Sequence, residues 1–206
     1  KDWIIDYVQS MPKKASTLVV GVSGGIDSAV VSTISSMTGL KTFVLSMPIK
    51  QIKTQDDLSK LHCKWLVSNF KNVSHLNIDL DNVFSGFENA LAKNNSEHAF
   101  ANSRARLRMA TLYQVAGSNN GIVVGTGNKV EDFGVGFYTK YGDGGVDISP
   151  IADCTKSQVW EMGEFLEIDH KIINAPPTDG LWVDGRNDED QLGMTYKELE
   201  EAMENP

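Results

Sequence analysis

The chain has 206 residues and a mass of 22.6 kDa, with 41% hydrophobic and 22% charged residues, which fits one compact globular domain and excludes collagen-like, disordered and coiled-coil chains. Nineteen Lys and Arg stand against 27 Asp and Glu, a net charge of −8 with a pI near 5.0, so broad binding to nucleic acid or to an anionic membrane, which calls for a basic surface, is not expected. Apolar runs such as residues 18–20 and 122–124 are far shorter than a membrane span, and residues 1–6 alternate apolar with charged side chains, unlike a signal peptide. Cys63 and Cys154 lie far apart with no second Cys or metal-spaced His beside them, the usage of free thiols in a reducing cytoplasm.

Residues 17–22, Thr-Leu-Val-Val-Gly-Val, form a short β-branched run ahead of Gly-Gly, the profile of a buried parallel strand. Val30, Val31, Ile34 and Met37 then recur at helical spacing over residues 28–37, and Gly39 follows as a helix stop. A second strand is predicted over residues 42–47, ended by Pro48. Thr54-Gln55-Asp56-Asp57 resembles a capping box, followed by a helical face of Leu58, Leu61, His62 and Trp65. Residues 73–80 read as a third strand, and Phe84, Phe87 and Leu91 as a short helix. Residues 100–116 read as a longer helix with Met109, Leu112, Tyr113 and Ala116 on one stripe. The fourth strand covers residues 121–125, and two more helices are expected near 156–166 and 195–203.

Strands alternating with helices give βαβ units, hence a doubly wound α/β domain with a mostly parallel sheet and helices on both faces. In such sheets ligands bind at the carboxyl ends of strands, near a switch in strand order. Two glycine-rich stretches follow the first and fourth strands, the second with seven glycines between residues 125 and 145.

The first stretch is Gly21-Val22-Ser23-Gly24-Gly25-Ile26-Asp27-Ser28. Its glycines let the backbone approach a ligand, the following helix offers free N–H groups and a positive dipole end, and Ser23 and Ser28 add hydroxyls. Polyphosphate suits that cradle. The Walker A lysine is absent, and so is the G-x-G-x-x-G dinucleotide fingerprint. Asp27 beside a phosphate cradle implies a divalent cation between them, and oxygen ligands with phosphate suit Mg²⁺. The bland alternative is a ligand-free turn with Asp27 as the helix N-cap.

Ser23-Gly24-Gly25-Ile26-Asp27-Ser28 resembles the S-G-G-x-D-S signature of the N-type ATP pyrophosphatases, whose fold is adenine nucleotide alpha hydrolase-like and Rossmann-like and which split ATP into AMP and pyrophosphate. Residues 125–131, Gly-Thr-Gly-Asn-Lys-Val-Glu, and 138–150, from Tyr138-Thr139-Lys140-Tyr141-Gly142-Asp143-Gly144-Gly145 to Pro150, resemble the NAD synthetase family within that superfamily. So does the helix Ala101-Asn102-Ser103-Arg104-Ala105-Arg106-Leu107-Arg108-Met109. Lys156, Ala175-Pro176-Pro177-Thr178, Asp188-Glu189 and Leu192-Gly193 follow in the family's order, so the resemblance spans nearly the whole chain.

The resemblance implies ATP-dependent amidation of deamido-NAD by ammonia through an adenylated intermediate. By matched position Gly21, Val22, Ser23, Gly24, Gly25, Ile26, Asp27, Ser28, Thr126, Lys156 and Thr178 would line ATP, and Asp27 and Glu131 would hold Mg²⁺. Arg106, Lys140 and Asp147 would contact deamido-NAD, and Asp27, Lys156 and Asp143 would carry the chemistry, with Asp143 or Asp147 taking the proton of ammonium. A cytoplasmic homodimer is implied too, with deamido-NAD near the subunit contact. Family members usually continue past Pro206 into a segment with a His-Lys pair, and the nitrilase-like domain of glutamine-dependent relatives does not fit within 206 residues, so free ammonia, or ammonia from a separate partner, is the implied donor. Position 26 holds Ile where many members have Gln.

Each residue also has a plainer role open to it. Arg104 and Arg108 read best as a solvated helix face, and Arg106 could join them. Lys140, Asp143 and Asp147 could be loop charges, Lys156 a decoration of a helix start and Thr178 an N-cap. His62 reads as a satisfied half-buried side chain; His75, His98 and His170 lack metal-like spacing, and both cysteines read as packing groups. Residues 180–193, rich in Asp and Gly, read as a loop able to cover the site. Rival functions are a GMP-forming or tRNA-thiolating ligase with the same signature, or a nucleotide-sensing module without catalysis.

Overall fold

A computed structural model of the chain describes residues 1–178, 180 and 187–204. Four strands, β1 (Thr17–Gly21), β2 (Lys41–Ser46), β3 (Val73–Asn77) and β4 (Gly121–Val124), make one all-parallel sheet in the order β3-β2-β1-β4. Val20 of β1 pairs with Val44 on one side and Val124 on the other. The chain leaves β1 toward β2 and β3, then returns to the opposite side of β1 as β4. The direction of winding therefore switches between β1 and β4, and a crevice opens at their carboxyl ends.

The helices among the described residues are α1 (Asp2–Ser10), α2 (Ile26–Ser36), α3 (Lys53–Asn69), α4 (Asp81–Ala90), α5 (Glu97–Ser118), α6 (Lys156–Phe165), α7 (His170–Ile173), α8 (Asp188–Leu192) and α9 (Tyr196–Glu204). A π-helical turn covers Val130–Val135. Alternation along the strands divides the core. Leu18, Val20, Ile122 and Val124 pack against α1, α2, α6 and α7, while Val19, Leu45 and Val123 pack against α4 and α5. Val44 joins Cys63 and Leu66 of α3 in a smaller cluster. At about 1.5–3 kcal/mol for each fully buried Val, Leu or Ile, burial on both faces fixes β1 as an interior strand. None of these helices is long and apolar enough to cross a membrane.

Several boundaries differ from the sequence reading, each for a local reason. α1 was not anticipated; it forms because Ile4 and Val8, four residues apart, bury against the sheet. β3 stops at Asn77 instead of Leu80 because its partner β2 ends at Ser46, although Ile78 and Leu80 still donate to Ser46 and Pro48 carbonyls. The capping box at Thr54 is not formed. α3 begins two residues earlier, with Ile52 at the cap and no side-chain cap bond, and its Lys53–Asp57 and Asp56–Lys60 pairs support the first turns instead. A true capping box starts α6, where Thr155 and Gln158 bond reciprocally. Within the stretch read as a loop over 180–193, residues 188–192 are α8, capped by Asn187 and ended by Gly193 at φ +72°. Residues 181–186 lie outside the described residues.

Candidate active site

The turn between β1 and α2 is built against α3. Gly24 takes φ +98°, and a Cβ there would meet the Gln55 carbonyl at 2.6 Å and the Ser59 nitrogen at 3.0 Å, so only glycine fits. The Ser59 hydroxyl donates to the Val22 carbonyl at 2.6 Å, fixing the turn to α3. Ser23 and Ser28 close it: the Ser23 N–H donates to Ser28 Oγ, and the two hydroxyls are 3.1 Å apart. Gly25 is the N-cap of α2 and no side chain caps that helix. Its first-turn N–H groups and dipole end therefore serve the cleft. Asp27 is not the N-cap, which removes the plainer reading of that residue.

Asp27 instead enters an ion cluster. The Lys156 ammonium donates to Asp27 Oδ2 at 2.6 Å and to Glu131 Oε1 at 2.9 Å, and Lys156 is only 2% exposed. Lys156 opens α6, where the helix dipole disfavours a cation, so the two carboxylates must hold it there. Burial works against its charge, but Asp27 and Glu131 outweigh burial and keep the ammonium above the ordinary lysine value. Burial and the Asp27 charge push the Glu131 carboxyl up, partly offset by Lys156. Lys156 is therefore no surface decoration.

Asn128, fully buried, organises this cluster from the turn after β4. Its Nδ2 donates to Asp27 Oδ1 at 3.0 Å, and its Oδ1 accepts the Val130 and Glu131 N–H groups. That geometry fixes the start of the π-helical turn and so the direction of Glu131. A π-turn inside a site is a familiar way to place one side chain. The next residue, Asp132, also faces the cleft. A Cβ on Gly127 would stand 2.2 Å from Asp132 Oδ2, so that carboxylate approaches the backbone only because residue 127 is glycine. Burial first, then the charges of Glu131, Asp143 and Asp27, push Asp132 up to about 6.

The cleft has a volume of about 480 Å³. Of the residues predicted to act, Gly21, Val22, Ser23, Gly25, Ile26, Asp27, Ser28, Thr126, Glu131, Asp143, Lys156 and Thr178 line it. Gly24 lies behind, against α3. Thr178 accepts the Gly180 N–H and caps no described helix. Asp143 accepts the Thr139 N–H at 3.1 Å. Arg106, Lys140 and Asp147 do not line the cleft. The Arg106 Nε donates to the Lys140 carbonyl at 3.1 Å, joining two exposed cations on the α5 side. Asp147 accepts the Val123 N–H at 2.7 Å and the Tyr113 hydroxyl at 3.1 Å, which pins the loop to β4 and α5.

The solvated-face reading of two arginines is corrected. Arg104 is buried, with its guanidinium carbon 5.5 Å from the Phe84 ring centre, because α4 folds over that side of α5. Arg108 lines the cleft, donating to the Met47 carbonyl and to Gln51 Oε1 beyond the end of β2. Sequence reasoning assigned no role to Asn128, Asp132, Asp188 or Tyr196. Asn128 lies within the residue 125–131 motif, Asp132 directly after it and Asp188 in the matched Asp188-Glu189 pair, and those places were the available signal; Tyr196, 65 residues from its partner Glu131, carried none.

A parallel sheet, a glycine turn after β1 with no side-chain cap, and carboxylates facing each other from the ends of β1 and β4 define a nucleotide-binding protein of the adenine nucleotide alpha hydrolase-like fold. The chain belongs to the NAD synthase family, matching it over residues 1–205. It is 39% identical over 195 residues to the NH(3)-dependent NAD(+) synthetase of Carboxydothermus hydrogenoformans, covering 92% of this chain and 77% of that one. Among solved structures it is similar to the NMN synthetase of Francisella tularensis, with TM-score 0.90, 35% identity and coverage of 98% and 82% of the two chains. The NH3-dependent NAD synthetase of Campylobacter jejuni gives TM-score 0.74 and 31% identity, covering 84% and 72%.

Proposed function

We propose that this chain amidates deamido-NAD with ammonia at the expense of ATP, giving NAD, AMP and pyrophosphate. The observation that carries this reading is the convergence of the residue 21–28 turn with the Asp27–Lys156–Glu131 cluster at the ends of β1 and β4. The substrate carboxylate attacks the α-phosphorus of ATP, and the α–β bridging bond breaks to release pyrophosphate. Ammonia then attacks the acyl carbon of the adenylate, the acyl–oxygen bond breaks, and AMP leaves.

The turn's N–H groups and the α2 dipole cradle the pyrophosphate, with Thr126 and Thr178 along the ATP path. Asp27 and Glu131 suit Mg²⁺: both offer hard oxygen donors, and both already face a common cation in Lys156. Bound there, Mg²⁺ would supply positive charge against the phosphates. Lys156, buried and held charged by both carboxylates, would add positive charge beside the phosphates. Asp143 takes the proton shed by ammonium. Arg106, Lys140 and Asp147 meet deamido-NAD outside the cleft. Exposed Phe133, Tyr138 and Tyr141 on the same loops fit a homodimer contact beside that substrate, in a cytoplasmic enzyme.

The test is an assay with ATP, Mg²⁺, ammonium and deamido-NAD that reads NAD and AMP together. Equal amounts are expected, none without ammonium, and none from Asp27→Asn although that variant folds. ATP binding without turnover of any pyridine carboxylate would leave a nucleotide-sensing module instead. Similarity to an NMN synthetase at TM-score 0.90 favours a second reading, in which nicotinic acid mononucleotide is amidated. Comparing kcat/KM for the mononucleotide and deamido-NAD decides between the two.

A further inference from the structure

The reaction above gives no task to two buried side chains from the last helices. Tyr196 opens α9, is 1% exposed, and donates its hydroxyl to Glu131 Oε1 at 2.6 Å. That same Glu131 oxygen accepts from Lys156. The Tyr196 hydroxyl also lies 3.2 Å from Oδ2 of Asp188, which opens α8 and is 5% exposed. A phenol carries one proton, so it serves one of these two carboxylates at a time, and the shorter contact is to Glu131.

The ring is held independently of the hydroxyl. It packs edge-on against Trp160 at 6.0 Å, lies 4.7 Å from the Lys156 ammonium, and joins Val130 and Leu199 in a small core. The helix is held as well. The Tyr196 N–H donates to Glu189 at 3.0 Å, and Glu200 accepts both the N–H and the hydroxyl of Ser157, the residue after Lys156. Both ends of the Tyr196–Glu131 contact are thus fixed by elements distant in sequence.

We propose that Tyr196 is a positioning residue for the metal-binding carboxylate Glu131, with Asp188 as the alternative acceptor of its hydroxyl proton. The bond from Tyr196 to Oε1 fixes the Glu131 carboxylate and leaves Oε2 for a cation, and when Glu131 turns away, rotation of the hydroxyl to Asp188 leaves no buried O–H unpaired. While that bond to Glu131 is kept, Tyr196 directs the carboxylate as a metal ligand is directed by its supporting hydrogen bonds. This inference rests on the reading of Asp27 and Glu131 as the Mg²⁺ site.

Tyr196→Phe removes one oxygen and keeps the ring. Binding of Mn²⁺ to the full chain beside a non-hydrolysable ATP analogue, followed by electron paramagnetic resonance, is expected to weaken about tenfold, as loss of a supporting hydrogen bond does at metal sites. The Mg²⁺ concentration for half-maximal NAD formation should rise in step, with KM for ATP at saturating Mg²⁺ and the melting temperature near wild type. Asp188→Asn, which still accepts from the hydroxyl, should weaken Mn²⁺ less than Tyr196→Phe. Wild-type Mn²⁺ affinity in Tyr196→Phe, or a loss matched by an equal loss of ATP binding and of thermal stability, overturns the positioning role alone. A wild-type chain that binds no Mn²⁺ beside the analogue overturns the metal assignment itself and this inference with it.

Discussion

His62 packs on α3 against α2, 2% exposed, with Nε2 at 3.1 Å from both the Ala29 carbonyl and Ser32 Oγ. The carbonyl can only accept, so Nε2 carries the proton there, and the neutral ring is satisfied. Burial pushes the pKa from 6.5 down to about 4. The unfolded chain therefore binds the extra proton first. The contribution of neutral His62 to stability is complete above about pH 6.5 and is lost as pH falls toward 4, up to roughly 3 kcal/mol at 1.36 kcal/mol per unit. Asp132, raised toward 6, has the opposite slope, so the comparison needs a variant. Urea unfolding at pH 7.5 and pH 5 should show wild type losing about 2 kcal/mol more than His62→Gln. Equal losses in both proteins would remove His62 as the source.

At the scale of elements, the turn after β1 holds two adjacent glycines with different reasons to be glycine. Gly24 has φ +98° and α3 backbone at 2.6 Å from a would-be Cβ, whereas Gly25 has φ −87° and meets only the Ser23 hydroxyl at 3.5 Å. Gly24→Ala should cost about 3 kcal/mol from backbone strain alone, a fall in melting temperature of roughly 6–12 °C for a chain of this size. Gly25→Ala should melt near wild type. Similar melting temperatures for the two variants would mean that α3 yields to the turn.

The motif Ser23-Gly24-Gly25-Ile26-Asp27-Ser28 announced this turn, and the strands were legible from runs such as Leu18-Val19-Val20 because burial on both faces leaves an unbroken apolar signature. α1 was hidden because only Ile4 and Val8 of its nine residues are buried. The arginines of α5 were misread for a related reason: Arg104 and Arg108 meet α4 and the end of β2, contacts that no spacing within α5 reports. The carboxylates Asp27 and Glu131, expected from family position to hold Mg²⁺, meet at Lys156, while their supports Asn128 and Tyr196 reach across 101 and 65 residues. Local pattern reads what a residue is on its own element, and the site is made between elements.

On the scale of the whole molecule, the cluster joins parts of the chain that fold as separate units of pattern. Asp27 comes from the first turn of α2, Glu131 from the π-turn after β4, and Lys156 from α6; α9 grips the π-turn through Tyr196 and α6 through Glu200. A ligand that binds Asp27 and Glu131 must therefore stabilise α9, which it need not touch. At a ligand concentration of about 100 Kd the folded state gains about 2.7 kcal/mol, a slowing near 100-fold for amides that exchange only when the site opens. With Mg²⁺ and a non-hydrolysable ATP analogue, hydrogen exchange should slow in the residue 21–28 turn, the π-turn and α9 together, while α1, which holds none of the cluster residues, stays unchanged. Protection confined to the turn would show that α9 opens independently of the ion cluster. Protection that spreads to α9 in wild type and shrinks there in Tyr196→Phe would trace the coupling to one hydroxyl group, because that substitution leaves the ring packing and the Glu200–Ser157 clamp in place.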